Sequence, residues 1–189
     1  IQVVFLIIGG MVTTYLALNT VSGGEGMWAG LSAIMDAAPD KFAMILDKSN
    51  PEYDNLPGIG VLVGGMWVAN LYYWGFNQYI IQRTLAAKSL KEAQNGILFA
   101  AILKIFLPLI VVIPGIAAYV MINDPAIMAG LGEAGQLNMP TSEQADKAYP
   151  WLLQFLPTGF KGLAFAALAA AIVSSLASML NSTATIFTM

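Results

Sequence analysis

Amide and aromatic side chains cluster in an apolar stretch near the middle of the chain. Within residues 58–81, these side chains follow a spacing of i, i+3, i+4, i+7 and i+8, which is one face of an α-helix: Asn70, Tyr73, Trp74, Asn77 and Gln78. Aromatic rings can cover the apolar face of a ligand while amides hydrogen-bond its hydroxyl groups. The same residues could instead join two packed helices or anchor a helix at a membrane boundary. The spacing therefore predicts either a ligand-binding face or a structural surface of the helix.

A lysine stands inside the next apolar stretch. Lys104 lies about nine residues into residues 95–122, roughly 13 Å along a helix that would cross about 30 Å of hydrocarbon. Burying its charge there costs on the order of 2.5–3.5 kcal/mol. The apolar stretches contain no acid that could pair with it. Lys104 is therefore a candidate donor to a polar ligand or a partner of an acid elsewhere, unless its ammonium snorkels to the interface.

Small and hydroxylated residues form a stripe in the last apolar stretch. They follow a spacing of i, i+3, i+4, i+7, i+11 and i+14: Ala171, Ser174, Ser175, Ser178, Ser182 and Thr185. Hydroxyls and backbone carbonyls supply the neutral oxygens that suit a hard monovalent cation such as sodium. Such stripes also form close-packing surfaces between helices. The stripe predicts either a sodium site or a helix interface.

The composition is that of a membrane protein. Hydrophobic residues make up 58% of the 189 residues, charged residues make up 10%, and the mean hydropathy is +0.71. Soluble domains hold roughly 45–50% apolar and about 25% charged residues. The chain has no Cys and no His, which excludes disulfides, zinc sites built on those residues and imidazole catalysis. With a net charge of -3 and no basic face, we expect no nucleic-acid binding.

Four apolar runs predict four membrane helices, over about 1–21, 58–81, 95–122 and 160–189. A modestly amphipathic stretch at 27–45 is expected to lie along the membrane interface. The connection at 82–94 holds Arg83, Lys88 and Lys91 against Glu92, so we place it on the cytoplasmic side. The chain begins inside an apolar run, and we interpret residues 1–189 as an internal piece of one transmembrane domain.

Two stretches resemble the sodium:solute symporter family. The stretch ANLYYWGFNQYIIQRTLAAKSLKEA (69–93) is similar to that family's sixth core helix and the loop after it. The stretch AFAALAAAIVSSLASMLNSTATIFTM (164–189) is similar to its eighth. The resemblance implies an all-α polytopic membrane protein, part of a ten-helix core of two inverted five-helix repeats. It also implies a bacterial inner-membrane location.

The resemblance further implies roles for individual residues. Asn70 and Lys104 would hydrogen-bond a sugar, and Tyr73 would stack on its ring and close its path to the cytoplasm. Trp74 would flank that gate. The remaining helices of the parent chain would supply the other contacts.

The stripe on the last helix takes a separate role by the same resemblance. Ala171, through its carbonyl oxygen, and Ser174 would hold the co-transported sodium ion. Ser175 would add a further hydroxyl ligand.

The expected function is sodium-coupled symport of a monosaccharide, galactose or glucose, across a lipid bilayer by alternating access. Within the same family, the substrate could instead be an amino acid, an organic acid or an inositol. A non-transporting membrane-embedded subunit is another alternative. We do not expect an enzyme, because the apolar runs hold no carboxylate pair and the chain lacks His and Cys.

Overall fold

The structure is a computed structural model that describes residues 2–51 and 53–188. Over those ranges the chain is helical and contains no β-strand. The α-helices, in chain order, are α1 (Gln2–Val21), α2 (Met27–Ala37), α3 (Met66–Leu71), α4 (Gln78–Leu85), α5 (Leu90–Asn123), α6 (Pro125–Gly130), α7 (Gly132–Gln136), α8 (Ala148–Leu152) and α9 (Thr158–Thr188). Short 3-10 helices occupy Pro39–Phe42, Tyr53–Asn55, Ser142–Lys147 and Leu153–Phe155.

Three helices in the described ranges are long and apolar enough to cross a membrane: Val3–Val21 within α1, all of α5 and all of α9. A bilayer core of about 30 Å needs roughly 20 apolar residues in a helix. The 34 residues of α5 exceed that length, and the helix continues through Pro108 and Pro114. These spans fit a multi-pass membrane protein.

The apolar run at 58–81 forms several helical pieces instead of a single α-helix. A π-helix at Val61–Gly65 precedes α3, and a second π-helix at Tyr72–Phe76 follows it. The helix then ends at Asn77, whose φ of -77° and ψ of 110° are extended. The Asn77 side chain accepts a hydrogen bond from the backbone N–H of Tyr79 at 3.1 Å, which caps the start of α4.

The chain divides into two compact units. One holds the chain up to Lys41 together with Ile105–Ile172, and the other holds Phe42–Lys104 with the residues after Ile172. The core of the first unit comes from α1, α2, α5 and α8: Ala17, Leu18, Val21, Ile34, Ala38, Ile116, Ala117, Ala118, Val120, Met121, Trp151 and Leu152. Apolar side chains from four helices therefore hold this unit together.

Close backbone contact joins α1 to α2 in the first unit. A Cβ atom at Gly30 would lie 2.0 Å from the carbonyl oxygen of Leu18, so only glycine fits there. The fully buried Ile34 follows one turn later on α2. The amphipathic stretch at 27–45 therefore buries part of its apolar side in the core of this unit, and its α-helix ends at Ala37.

The second unit contains most of the predicted site residues, and Ala171 belongs to the first unit. Its elements are the two π-helices with α3 between them, α4, the first part of α5 and the last part of α9. The break at Asn77 lies between the segment that carries Tyr73 and Trp74 and the segment that carries Arg83.

Candidate functional site

The charge of Lys104 lies against two aromatic rings. Its Nζ atom is 4.4 Å from the ring centroid of Tyr73 and 4.7 Å from that of Trp74. Both distances are within the range of about 6 Å for cation–π attraction. The two rings meet edge to face, with centroids 5.4 Å apart and planes at 84°. Two neutral aromatic side chains thus stabilise a lysine for which the sequence offered no nearby acid.

This aromatic pair and Lys104 line a cavity of about 430 Å³. That volume lies in the range of roughly 300–1,000 Å³ that is typical of small-molecule sites. The polar and aromatic part of the lining comes from α4, α5 and the second π-helix: Tyr73, Trp74, Tyr79, Arg83, Thr84, Glu92 and Lys104. Such a lining offers ring faces for an apolar surface and charged or hydroxyl groups for hydrogen bonds.

The structure separates the amides from this cavity. Asn70 is exposed, and its Nδ2 donates to the carbonyl oxygen of Met66 at 2.8 Å. Asn77 caps α4, and Gln78 is the first residue of that helix. Because a π-helix winds more loosely than an α-helix, the spacing of one α-helical face does not continue from Asn70 to Gln78. Of the five side chains predicted to share that face, only Tyr73 and Trp74 line the cavity.

The residues predicted to hold sodium all lie on α9. Ala171, Ser174 and Ser175 are half-buried. The carbonyl oxygen of Ser174 accepts a hydrogen bond from the hydroxyl of Ser178 at 3.1 Å. Residues at i, i+3 and i+4 project from the same side of a helix, so the three can present neutral oxygens together.

A set of side-chain contacts joins α4 to α9, and we call its members the α4–α9 clamp: Gln82, Arg83, Ser178 and Asn181. The Gln82 Nε2 donates to the carbonyl oxygen of Ser178 at 3.2 Å, and its Oε1 accepts from the Asn181 Nδ2 at 3.0 Å. The Arg83 Nη2 donates to the Ser178 hydroxyl oxygen. The guanidinium carbon of Arg83 also lies 5.7 Å from the Tyr79 ring centroid.

Comparison with known proteins identifies the family. The profile of the sodium:solute symporter family matches residues 1–189. The chain belongs to the sodium:solute symporter family. It is 68% identical over its whole length to a sodium/glucose cotransporter of Vibrio parahaemolyticus, and covers 35% of that protein.

More distant members of the sodium:solute symporter family also match. The bovine sodium/myo-inositol cotransporter 2 is 36% identical over 201 aligned residues, which include all of this chain and 29% of that protein. An uncharacterized symporter of Escherichia coli is 35% identical over 97% of this chain and 28% of its own length. The chain therefore spans about a third of the length of the symporters it matches.

The sequence of this symporter segment did not reveal the clamp. Arg83 counted only as a cytoplasmic loop charge, and Ser178 only as a member of the hydroxyl stripe. Their contact joins residues 95 apart in the chain, which periodicity cannot detect. The one local signal was the polar pair of Gln82 and Arg83 directly after the apolar run.

Proposed function

We propose that the protein containing this chain is a secondary active transporter that moves sodium and a monosaccharide together across the bacterial inner membrane. Its core would be ten helices in two inverted five-helix repeats, working by alternating access. Family membership supports this proposal, as does the 68% identity to a protein named sodium/glucose cotransporter. Galactose and glucose are the proposed substrates.

The observation that best supports the proposed sugar site is the contact of Lys104 with the rings of Tyr73 and Trp74. A pyranose ring has an apolar face that stacks on an aromatic ring and hydroxyl groups that accept from an ammonium. Tyr73 would supply the stacking surface and Lys104 the donor, with Trp74 beside them. When Tyr73 covers the sugar from the cytoplasmic side, it also closes the exit path.

Asn70 has hydrogen-bonding capacity left for the sugar. Its bond to Met66 uses one of the two amide hydrogens. The second hydrogen and the amide oxygen can each bind a hydroxyl group. We therefore keep Asn70 as a proposed sugar-binding residue, one turn before Tyr73, although it does not line the cavity.

Sodium would bind at α9 through the carbonyl oxygen of Ala171 and the hydroxyls of Ser174 and Ser175. Neutral oxygens suit this ion because the ion must enter and leave in each cycle. Ligands from helices outside this chain would complete the coordination shell. The site then releases sodium without breaking an ion pair.

The energetics permit coupled transport. A tenfold sodium gradient supplies about 1.4 kcal/mol. A membrane potential of about 100 mV adds roughly 2.3 kcal/mol per charge. One sodium ion can therefore drive roughly 500-fold accumulation of a neutral sugar.

Uptake of labelled galactose into proteoliposomes tests the proposal. The full-length protein is reconstituted with an inward sodium gradient or with potassium in its place, and wild type is compared with Ser174→Ala. We expect sodium-dependent uptake that the substitution weakens. Uptake indifferent to sodium would contradict the coupling.

Inositol is the second candidate substrate, because a relative is named for sodium/myo-inositol cotransport. Both substrates present a six-membered ring bearing hydroxyl groups. Unlabelled galactose, glucose and myo-inositol are therefore added separately to the same uptake assay. Stronger competition by myo-inositol than by either sugar would replace the proposed substrate.

A further inference from the structure

The α4–α9 clamp lies in the second unit, which also holds the aromatic cavity and Ser174. Ser174 is four residues before Ser178 on α9, and Arg83 lines the aromatic cavity on α4. Three side-chain hydrogen bonds connect the two helices through Gln82 and Arg83. The eight residues of α4 are thus hydrogen-bonded, through one turn, to α9, which is distant in the sequence.

The hydroxyl of Ser178 determines the direction of these bonds. A serine hydroxyl has one proton to donate and lone pairs to accept with. Its proton goes to the carbonyl oxygen of Ser174, so its oxygen accepts from the guanidinium of Arg83. A shift of the α9 turn at Ser174 therefore moves the Ser178 hydroxyl, which accepts the hydrogen bond from Arg83.

The break at Asn77 allows α4 to respond as a unit. The extended backbone of Asn77 interrupts the helix just before α4, so no continuous helical ladder joins α4 to the π-helix carrying Tyr73 and Trp74. Hinges are commonly a few residues at the end of an element that absorb a backbone rotation. A backbone rotation at Asn77 would change the position of Arg83 relative to Tyr73 and Trp74, which line the same cavity.

We propose that the α4–α9 clamp couples sodium binding at Ser174 to sugar binding at the aromatic cavity, with Ser178 and Arg83 as positioning residues. This inference rests on the proposed function. Sodium would fix the α9 turn and, through Ser178, hold α4 in the orientation in which the cavity accepts sugar. By thermodynamic linkage, sugar would raise the affinity for sodium by the same factor.

Equilibrium binding of labelled galactose to the full-length protein tests the clamp. Affinity is measured without sodium and at saturating sodium, for wild type, Ser178→Ala and Arg83→Gln. For each protein, the ratio of the affinity at saturating sodium to the affinity without sodium is the sodium enhancement factor. We expect both substitutions to lower this factor by about fivefold or more, within the usual range of coupling. In Ser178→Ala, affinity without sodium should stay at the wild-type value, because Ser178 does not line the cavity. That result separates coupling from damage to the sugar site, whereas Arg83→Gln is judged by the factor alone.

Matched variants serve as controls. Ser178→Thr keeps a hydroxyl and should retain the factor, and Lys88→Gln removes an exposed cation that does not line the cavity. If Ser178→Ala does not fold, Asn181→Ala removes only the exposed contact to Gln82 and should lower the factor more modestly.

The outcomes distinguish this inference from the proposed function. A wild-type protein that binds sugar without any sodium enhancement overturns the proposed function, and the coupling inference with it. A wild-type protein with clear enhancement, unchanged in Ser178→Ala and Arg83→Gln, overturns the clamp alone. Equal loss of affinity with and without sodium in Ser178→Ala also overturns it, since that pattern indicates a structural role.

Discussion

The ammonium of Lys104 lies 4.4 Å from the centre of the Tyr73 ring, although 31 positions separate the two residues in the sequence. Among the described side chains, the ion pair that the structure shows is Lys41 with Asp40, so Lys104 is stabilised by rings and not by a carboxylate. A cation–π contact is worth about 0.5–2 kcal/mol. It leaves the ammonium protons available to a ligand.

We predict that Lys104→Ala weakens sugar binding while leaving membrane insertion intact. A hydrogen bond from a charged donor contributes about 1.5–3 kcal/mol, which corresponds to roughly tenfold to hundredfold in affinity. The measurement is the dissociation constant for galactose in the full-length protein. Lys104→Arg should recover part of the affinity, and Lys88→Ala should have no effect. Unchanged affinity in Lys104→Ala would remove this lysine from the sugar site.

At Tyr73, the ring should matter more than the hydroxyl. Tyr73→Phe preserves both the stacking surface and the attraction for Lys104, so affinity should stay near wild type. Tyr73→Leu removes the ring and should weaken sugar binding by roughly twofold to tenfold, the size expected for one aromatic stack. Competition binding with labelled galactose measures both. A larger loss in Tyr73→Phe than in Tyr73→Leu would show that the phenol is the group that binds.

Gly30→Ala should destabilise the first unit. The new methyl group would meet the backbone of Leu18 at 2.0 Å, and backbone cannot move aside as a flexible side chain can. Overpacking of this kind costs about 1–3 kcal/mol. Thermal unfolding in detergent should show a lower midpoint than in wild type. Gly115→Ala is the control, because a Cβ there meets nothing within 4 Å; an equal midpoint in the two variants would contradict the prediction.

Tyr149 provides a pH prediction outside the membrane spans. Burial raises the pKa of its phenol above the ordinary value of 10.0, and a hydrogen bond with Thr13 acts in the opposite direction. Well below pH 10 the phenol is protonated in both the folded and unfolded chains, so its ionisation does not change the free energy of unfolding. Above that pH the unfolded chain ionises first, so the free energy of unfolding falls as pH rises.

Unfolding of wild type and Tyr149→Phe at a series of pH values from 8 to 11 measures this effect. The free energy of unfolding of wild type relative to that of Tyr149→Phe should be constant well below pH 10. It should fall as the pH rises through 10. A difference that is constant over the whole series would mean that the phenol does not ionise differently on folding.

The sequence revealed the long apolar helices because length and lack of charge are local properties. The helices α1, α5 and α9 occupy three of the apolar runs, with ends that differ by a few residues. It could not reveal the π-helices, since their winding depends on packing around Tyr72–Phe76 as much as on residue type. Spacing alone predicts that Asn77 shares a helix face with Tyr73 and Trp74, whereas in the structure its side chain caps α4.

The candidate site was only partly predictable for the same reason. Spacing predicts that Tyr73 and Trp74 share a helix face, and Lys104 is conspicuous as a charge in an apolar run. Only the family resemblance implies that the three lie at one site. Their mutual contact depends on how α5 packs on the second π-helix, and spacing within a run carries no information on that packing. The contacts of Arg83 and Ser178 depend likewise on tertiary structure.

The π-helix at Tyr72–Phe76 gives this part of the chain tolerance to the loss of one residue. A π-helix holds more residues per turn than an α-helix. The five residues of this π-helix therefore turn the chain through about the same angle as four residues of α-helix. Deleting one residue there would favour ordinary α-helical winding and leave Arg83 facing Ser178. Related sequences with a one-residue gap in this segment should therefore keep the orientation of α4, with an α-helix in place of the π-helix.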